Sequence, residues 1–365
     1  MKNKKNRMIE LKKIEQFETW QGKCIMIAGP CSAESEQQVL ECARSLAGQG
    51  IRIFRAGTWK PRTRPGCFEG AGTPALDWLR QVKAETGMAV TTEVANSRHV
   101  EASLKAGIDI LWIGARTTTS PFAVQEIADA LRGVDIPVLV KNPINAELEL
   151  WIGAFERLSG AGLTRLAAIH RGFSAYGERI YRYSPQWQIP VELRRRIPGL
   201  PVICDPSHMA GKRCLVAPLS QMALDMKADG LFIEVHPDPD NALSDNLQQL
   251  TPQQFKQLTD GLVLHRNTNV TDLEVLKPYR DKIQATDRRI AALLAERLEL
   301  AGQTGDLKQL RNLAVLQPER YRSLADDMVA EGLKFGLDEK FIRAIFETIH
   351  AESINNQLDN YNKTE

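Results

Sequence analysis

Short apolar runs alternate with amphipathic stretches over the first 265 residues of the chain. Eight runs are rich in branched and aromatic residues and predict β-strands at 24–29, 51–56, 88–94, 109–115, 136–141, 165–170, 200–205 and 230–236. Most are separated by segments with helical periodicity, such as PALDWLRQVKAET and SPFAVQEIADALRG. This alternation predicts parallel strands, and continuously apolar strands are buried on both faces. Eight such units in roughly 250 residues match the size of a (β/α)8 TIM barrel.

An open, doubly wound sheet is the alternative arrangement of the same elements. No Gly-rich dinucleotide-binding turn follows the first predicted strand, which favours the closed barrel. Residues 171–199 have the least regular pattern, and we assign no single helix to them. We therefore expect residues 1–265 to form one α/β domain with the topology of a TIM barrel.

The pattern changes beyond about residue 270, where Leu and Ile recur at helical spacing over a long segment. Two further helical segments follow at 318–334 and 338–360, with Gly336 as a stop signal and Asp338 as a cap between them. The segment 265–272 is the expected join, so residues 272–365 form a small all-α domain. The long first helix cannot bury its apolar stripe alone, which predicts a homodimer or higher homo-oligomer formed through this domain.

The composition narrows the range of partners and compartments. Lys and Arg number 47 and Asp and Glu number 45, so no general basic field is available to bind nucleic acid. The basic start MKNKKNRMIELKK has no apolar segment behind it, and we expect no signal peptide and no membrane span. The six cysteines include no C-x-x-C pair, which favours reduced thiols and a cytoplasmic protein.

Charged side chains follow nearly every predicted strand of the barrel. The carboxyl ends of barrel strands meet at one rim, where the active sites of such barrels are built. One group of these residues is cationic and is suited to binding more than one phosphate or carboxylate: Arg55, Lys60, Arg62, Arg116, Lys141 and Arg171. Because burying unpaired charge is costly, packing alone does not explain their recurrence.

A second group at the same rim offers ligands for a divalent metal: Cys31, His208, Glu234 and, slightly further on, Asp245. A mixed sulfur, nitrogen and oxygen set suits Mn²⁺, Fe²⁺, Co²⁺ or Zn²⁺ better than Ca²⁺. Other interpretations stay open, since Cys31 alone is typical of a buried apolar residue and Asp245 of a turn. Glu93, His170 and His236 are candidates for orienting a ligand rather than binding the metal.

The candidate residues lie in or near eight short motifs at the strand ends: GPCS (29–32), FRAGTWKPRT (54–63), GAR (114–116), VKNP (140–143), HRG (170–172), DPSH (205–208), EVHP (234–237) and SD (244–245). Together these motifs resemble those of 3-deoxy-D-arabino-heptulosonate 7-phosphate (DAHP) synthases, in the short form without a large N-terminal regulatory extension. Synthases of eight- and nine-carbon sugar acids share the barrel, but the KPRT stretch marks the heptulosonate enzyme.

The resemblance implies condensation of phosphoenolpyruvate with erythrose 4-phosphate and loss of phosphate. By resemblance, Arg116, Lys141 and Arg171 hold the phosphate of phosphoenolpyruvate, and Arg55 and Lys60 lie at its carboxylate. Arg62 and Thr63 hold the phosphate of the aldose. A divalent metal on the four candidate ligands acts as a Lewis acid on the aldehyde, and Mn²⁺ is the ion that we expect before Co²⁺, Fe²⁺ and Zn²⁺. Proton transfer is left open among a metal-bound water, Lys60 and His170.

The tail resembles the all-helical form of chorismate mutase at Arg280, Arg297, Lys308, Arg320, Ser353 and Gln357. Arg297 and Lys308 are eleven residues apart, about three helical turns, and therefore project from one helix face. By resemblance, Arg297 and Arg280 of the partner subunit bind the carboxylates of chorismate, and Ser353 assists. Lys308 and Gln357 reach the ether oxygen, and Arg320 supports the site.

Two positions in the tail depart from the commonest mutase pattern. Tyr321 stands where a Glu that binds the substrate hydroxyl is often found, and the usual nearby acid is replaced around Gln317. Both departures concern the substrate hydroxyl and leave the expected contacts with the carboxylates and the ether oxygen unchanged.

Three functional hypotheses follow from the sequence. The leading one is a bifunctional synthase and mutase, with prephenate bound in the tail inhibiting the barrel. A second makes the tail only a regulatory and dimerisation module that senses chorismate or prephenate. The third, a generic metal-dependent sugar-phosphate aldolase, gives the tail no role.

Overall fold

A computed structural model describes residues 9–20, 24–62, 66–265 and 270–362; for residues 318, 319, 321, 322 and 360–362 it describes the backbone only. The chain forms two compact units, Met1–His265 and Arg266–Glu365. No helix among the described residues combines the length and the apolar character needed to cross a bilayer.

The first unit is a closed barrel of eight parallel strands, as the sequence predicts. The strands are β2 (Cys24–Gly29), β3 (Ile53–Arg55), β4 (Ala89–Val94), β5 (Ile110–Ile113), β6 (Val138–Lys141), β7 (Leu166–His170), β8 (Val202–Cys204) and β9 (Gly230–Glu234). Each pairs with the next, and β2 pairs with β9, which closes the ring. A two-residue strand that the sequence analysis missed, β1 (Thr19–Trp20), pairs antiparallel with β2.

Helices surround the barrel and connect its strands. They are α1 (Glu36–Ala47), α2 (Pro74–Thr86), α3 (Ser97–Lys105), α4 (Ala115–Thr118), α5 (Pro121–Ala130), α6 (Leu148–Gly160), α7 (Gln188–Arg196), α8 (Pro206–Ala210), α9 (Arg213–Asp225) and α10 (Pro252–Gly261). The helix α7 lies in the segment 171–199, to which no helix was assigned from the sequence.

The barrel interior is filled by side chains at alternate strand positions, because successive side chains of a strand point to opposite faces. Ile27, Ile53, Trp112, Leu139 and Phe232 belong to this interior cluster, all at 1% exposure or less. The opposite face of each strand packs against the helices in a second, larger cluster. Filling both faces explains why the strands read as continuous apolar runs.

The second unit consists of three helices, α11 (Val270–Leu310), α12 (Pro318–Lys334) and α13 (Glu339–Asn362). Gly336 has a φ of +75°, which ends α12 in the left-handed region that glycine adopts most readily. Asp338 caps α13, since its carboxylate accepts a hydrogen bond from the Phe341 amide at 3.0 Å. The sequence signals between the two helices therefore work as expected.

Candidate functional site

Charged residues of the barrel strands occupy the next inward-facing position beyond the apolar interior. A strand side chain two positions along points to the same face. Five strands place a charged residue two positions after an interior apolar one: Arg55 after Ile53, Lys141 after Leu139, Arg171 after Ile169, Asp205 after Ile203 and Glu234 after Phe232. The strand period therefore gathers these residues at the carboxyl end of the barrel.

A cavity of about 260 Å³ opens at this end. Among the residues predicted from the sequence, it is lined by Lys60, Arg62, Arg116, Lys141, Arg171, His208 and Asp245. Thr63, the other predicted contact of the aldose phosphate, lies outside the described residues. A cavity lined by so many cations is suited to substrates that carry several negative charges.

Arg55 lies beneath this cavity rather than in its lining. Its guanidinium is fully buried, with Nη2 3.1 Å from the Glu234 carboxylate, and its Cζ stands 4.4 Å from the centre of the Phe232 ring. The remaining nitrogens, Nε and Nη1, have no hydrogen-bond partner among the described residues. Arg55 thus orients Glu234, and its predicted contact with a substrate carboxylate stays a prediction.

Lys141 and Arg171 are buried cations held by neighbours on one side of the cavity. The Lys141 ammonium donates to Asp205 at 2.9 Å, and the Arg171 guanidinium lies 3.5 Å over the Tyr183 ring. Burial lowers the pKa of Lys141, although Asp205 opposes this effect, and burial also lowers the pKa of Arg171. A bound anion would offset the cost of desolvating both groups.

Lys60 connects the cationic lining with the candidate metal ligands. Its ammonium donates to the Cys31 carbonyl at 3.1 Å. Burial disfavours its charge, but nearby groups, Cys31 and Glu93 foremost, outweigh burial and raise the pKa of Lys60. Lys60 therefore carries a positive charge at neutral pH.

The candidate metal ligands converge as the sequence suggested. Ligand atoms of Cys31, Glu234 and Asp245 lie within 4.8 Å of one another. The Cys31 thiol donates to Asp245 at 3.2 Å, and Nε2 of His208 lies 3.9 Å from the same carboxylate. Nδ1 of His208 lies 2.8 Å from Asp205. A carboxylate behind a histidine orients its other nitrogen toward a metal, so the donor set fits a divalent ion.

Electrostatics of this cluster also fit a cation. Burial, followed by the charge of Glu234, raises the pKa of the Cys31 thiol. Burial alone would raise the pKa of Asp245, but His208, Lys60 and Arg182 together hold that pKa well below its usual range. A divalent cation would relieve the repulsion between the Glu234 and Asp245 carboxylates and would favour loss of the Cys31 thiol proton.

A close approach of two backbones explains the glycine of the GPCS motif. Gly29 has a φ of +149°, and a Cβ atom there would lie 2.1 Å from the Arg55 carbonyl oxygen. Only glycine fits such a contact. The motif therefore brings Cys31 against the residues that follow β3, and the Cys31 carbonyl accepts from the Gly57 amide at 3.2 Å.

A second group of polar residues lies between α11 and α13 of the helical unit. The Arg297 guanidinium donates to the Ser353 hydroxyl at 2.5 Å, and the Lys308 ammonium donates to the Gln357 amide oxygen at 3.2 Å. Ser353 and Gln357 are buried. A Cβ at Gly305 would lie 2.8 Å from Cγ of Gln357, so this glycine lets α13 approach. Four predicted residues thus come together in one unit.

Arg280 and Arg320 do not join this group within the unit. Both are exposed, and Arg280 precedes Arg297 by 17 positions on the same helix, about 25 Å along its axis. Gln317 is exposed at the start of α12, and the side chain of Tyr321 lies outside the described residues.

Comparison with known proteins decides the family. Residues 9–268 match the DAHP synthetase I family. The chain belongs to this family. Phospho-2-dehydro-3-deoxyheptonate aldolase of Thermotoga maritima is 34% identical over 237 residues, which cover 65% of this chain and 68% of that protein. A 2-dehydro-3-deoxyphosphooctonate aldolase of Syntrophotalea carbinolica is 31% identical, over 64% of this chain and 87% of that protein.

The fold comparison agrees with the family. The crystal structure of the Thermotoga maritima DAHP synthase has a TM-score of 0.61 and 32% identity, covering 69% of this chain and 72% of that one. Residues 279–358 match chorismate mutase type II. The chain therefore joins a DAHP synthase to a chorismate mutase, which confirms the bifunctional enzyme predicted from the sequence.

The cavity of this DAHP synthase also contains residues that sequence reasoning missed. Arg182 donates to Asp245 at 2.9 Å, and Tyr183 supports Arg171. Both lie in the irregular segment 171–199, where the alternating Arg and Tyr of RIYRY is the only local signal. Asp205 ends the predicted strand 200–205 and opens the DPSH motif, but its contacts with both Lys141 and His208 could not be predicted from the sequence.

His170, a candidate for proton transfer, does not line the cavity of the synthase. Its ring packs against Trp187 with 5.2 Å between ring centres and lines a separate small cavity of about 30 Å³. Burial lowers the pKa of His170 to about 3, so the ring is neutral at physiological pH. This position favours Lys60 over His170 as a proton donor.

Proposed function

We propose that the two sites catalyse two reactions of aromatic biosynthesis. In the barrel domain, residues 1–265, phosphoenolpyruvate and erythrose 4-phosphate condense to DAHP and phosphate. In the helical domain, residues 272–365, chorismate rearranges to prephenate. The observation that carries the first proposal is a cation-lined cavity bordered by converging thiol, imidazole and carboxylate groups. The test is to measure phosphate release, which should require phosphoenolpyruvate and erythrose 4-phosphate together.

The cations of the cavity divide between two anionic substrates in this proposal. Arg116, Lys141 and Arg171 hold the phosphate of phosphoenolpyruvate, and Lys60, with Arg55 behind it, faces the carboxylate. Arg62 binds the phosphate of the aldose, with Thr63 beside it. Holding two polyanions in contact requires dense positive charge, and fixed cations meet this need without reorganisation during the reaction.

We propose Mn²⁺ as the resident ion on Cys31, His208, Glu234 and Asp245, with Co²⁺, Fe²⁺ and Zn²⁺ as ions that the same donors accept. The ion supplies Lewis acidity to the carbonyl of the aldehyde. Asp205 supports this arrangement through Nδ1 of His208, and Arg55 does so through Glu234.

The chain's own groups then orient the substrates and supply a proton. The enol carbon of phosphoenolpyruvate bonds to the aldehyde carbon, water adds to the resulting cation, and phosphate leaves. Lys60 is placed to protonate the new alkoxide, because its raised pKa keeps it charged.

The mutase reaction is pericyclic and requires neither a nucleophile nor a base. We propose that Arg297 binds one carboxylate of chorismate with help from Ser353. Lys308 and Gln357, already in contact with each other, donate to the ether oxygen as it gains charge. Arg320 supports the site from α12.

We propose that a homodimer completes the mutase site with Arg280 of the partner subunit. A heptad stripe on α11 is 41–62% exposed within the described unit: Leu276, Ile283, Ile290, Leu293, Leu300 and Leu307. Such a stripe is typical of a helix that packs against another helix. An antiparallel pair centred on Ile290 would bring Arg280 of the partner subunit level with Leu300, between Arg297 and Lys308.

Mixing two inactive variants tests this shared site. Arg280→Ala and Arg297→Ala should each lose mutase activity, but a heterodimer of the two keeps one site with both arginines. Coexpression at equal levels should therefore restore about one quarter of the wild-type chorismate turnover per subunit, because half of the dimers are mixed and each has one intact site. No recovery in a sample shown to contain heterodimers would contradict the shared site.

We further propose that prephenate bound in the helical domain inhibits the barrel. Such inhibition requires that prephenate bind two states of the chain with different affinity. Prephenate should slow phosphate release by the full chain, and Arg297→Ala should weaken this inhibition at least about tenfold. A variant ending at His265 that is inhibited as strongly as the full chain would show that the barrel itself binds the inhibitor.

The tail as a purely regulatory and dimerisation module is the second candidate function. Loss of chorismate in the presence of the wild-type chain distinguishes the two, because only the bifunctional enzyme converts it. We also propose that the enzyme works in the cytoplasm, where its six cysteines would stay reduced.

A further inference from the structure

Glu93 is a carboxylate in a cavity lined mainly by cations. It stands near the end of β4, is 7% exposed, and shares the lining with Lys60, Lys141 and Arg171. Its negative charge is one of the effects that keep Lys60 protonated. An acid among these cations would compete with substrate anions for them unless it is held in one orientation.

Trp112 fixes one oxygen of this carboxylate. The two residues are direct partners in the register between β4 and β5. The indole Nε1 donates to Oε2 of Glu93 at 3.0 Å, and the indole is fully buried. A buried indole N–H requires an acceptor, and a charged acceptor makes a stronger hydrogen bond than a neutral one.

The same indole also borders two cations of the site. Its ring centre lies 5.2 Å from Cζ of Arg55 and 5.8 Å from Nζ of Lys141. Phenylalanine at this position would keep one ring beside both cations and lose the N–H together with the part of the indole that carries it. Because the lost volume leaves a small cavity in the interior, the effect of Trp112→Phe has to be compared with that of the same substitution at another buried tryptophan.

Gly114 leaves the space that the other oxygen of Glu93 occupies. A Cβ at this position would lie 2.0 Å from Oε1 and 2.7 Å from Cδ of Glu93. Its backbone, with φ −71° and ψ 157°, suits any residue, so conformation does not require glycine here. The three atoms nearest to such a Cβ all belong to the Glu93 side chain, so the position of this side chain is what requires glycine at 114.

We propose that Trp112 and Gly114 are positioning residues of the condensation site, which together hold the carboxylate of Glu93 in its place beside Lys60. The inference rests on the proposed condensation. Trp112 acts through a hydrogen bond to one oxygen, and Gly114 acts through the space that it leaves for the other. A displaced Glu93 would disturb the relative placement of the two substrates while the cations still bind them.

Steady-state kinetics of Trp112→Phe and Gly114→Ala test the proposal. Each should lower kcat for condensation by about 10- to 100-fold, with KM for phosphoenolpyruvate within about threefold of wild type, because misplacement costs rate more than binding. Trp151→Phe is the matched control. Trp151 is also fully buried, and it donates its N–H to the Val140 carbonyl at 3.1 Å. Because this hydrogen bond does not involve Glu93, losing it should leave kcat unchanged.

The same substitutions in a Glu93→Ala background separate positioning from general packing. If both residues act through Glu93, neither should lower kcat further by more than about twofold once that side chain is gone. An equal loss in both backgrounds, or wild-type kcat in either single variant, would overturn the inference. A wild-type chain without condensation activity would instead contradict the proposed function, so the two failures are distinguishable.

Discussion

Cys31→Ala is expected to abolish condensation while the same sample still converts chorismate. The thiol is fully buried and lies against Asp245, within a cluster that includes Glu234. Removing it takes away the soft ligand of the proposed metal site, and the loss of Lewis-acid assistance is worth several kcal/mol, or about 10³-fold or more in rate. Phosphate release from phosphoenolpyruvate with erythrose 4-phosphate, and metal content by mass spectrometry, measure both effects.

Cys42→Ala is the matched control for this variant. Cys42 is also a fully buried free thiol, and burial raises its pKa as it does for Cys31. It lies on α1 and donates to the Val235 carbonyl, within the apolar cluster between strands and helices rather than in the group of candidate ligand atoms. We expect Cys42→Ala to keep its metal and its condensation activity. A Cys31→Ala enzyme that still binds metal and condenses at the wild-type rate would contradict the metal site.

Arg297→Ala is expected to lower chorismate turnover by about 10³-fold and leave condensation intact. The guanidinium is held by Ser353, and its loss removes a fixed charge for a substrate carboxylate. One preorganised donor in such a site is worth about 10²- to 10³-fold, and a charged one lies at the upper end. Chorismate loss followed by absorbance gives the first rate, and phosphate release gives the second.

Arg288→Ala controls for removing a cation from the same helix. Arg288 is exposed on α11 and lies on the outer face, away from the apolar stripe that includes Ile290. Its loss should change neither activity by more than about twofold. Wild-type chorismate turnover in Arg297→Ala would show that the tail does not use the proposed site.

Much of the barrel could be predicted from local pattern, because strand burial and strand period leave direct traces in the sequence. The eight apolar runs correspond to β2–β9, and polar residues that end or follow several of them, such as Glu93, Arg116 and Lys141, line one cavity. Parallel strands force this convergence whatever the intervening helices are. For that reason Lys141 and Glu234, far apart in sequence, could be placed at the same rim.

Contacts that depend on tertiary packing could not be predicted in this way. Arg55 has the charge of a substrate-binding residue, but its burial against Glu234 and Phe232 follows from the barrel interior as a whole. Trp112 looks like any apolar strand residue, and only the register with Glu93 reveals its hydrogen bond. Arg182 and Tyr183 lie in an irregular segment whose path is set by the loops around it.

In this proposal one chain carries two separate catalytic sites, and only the site in the barrel uses a metal ion. Stepwise addition of a chelator such as EDTA to a single purified sample, with phosphate release and chorismate loss measured at each step, tests this arrangement. Condensation should fall to background and return when Mn²⁺ is restored, while chorismate turnover stays constant throughout. Condensation that persists after all metal has been removed would exclude a metal-dependent synthase, and a sample that never consumes chorismate would exclude an active mutase.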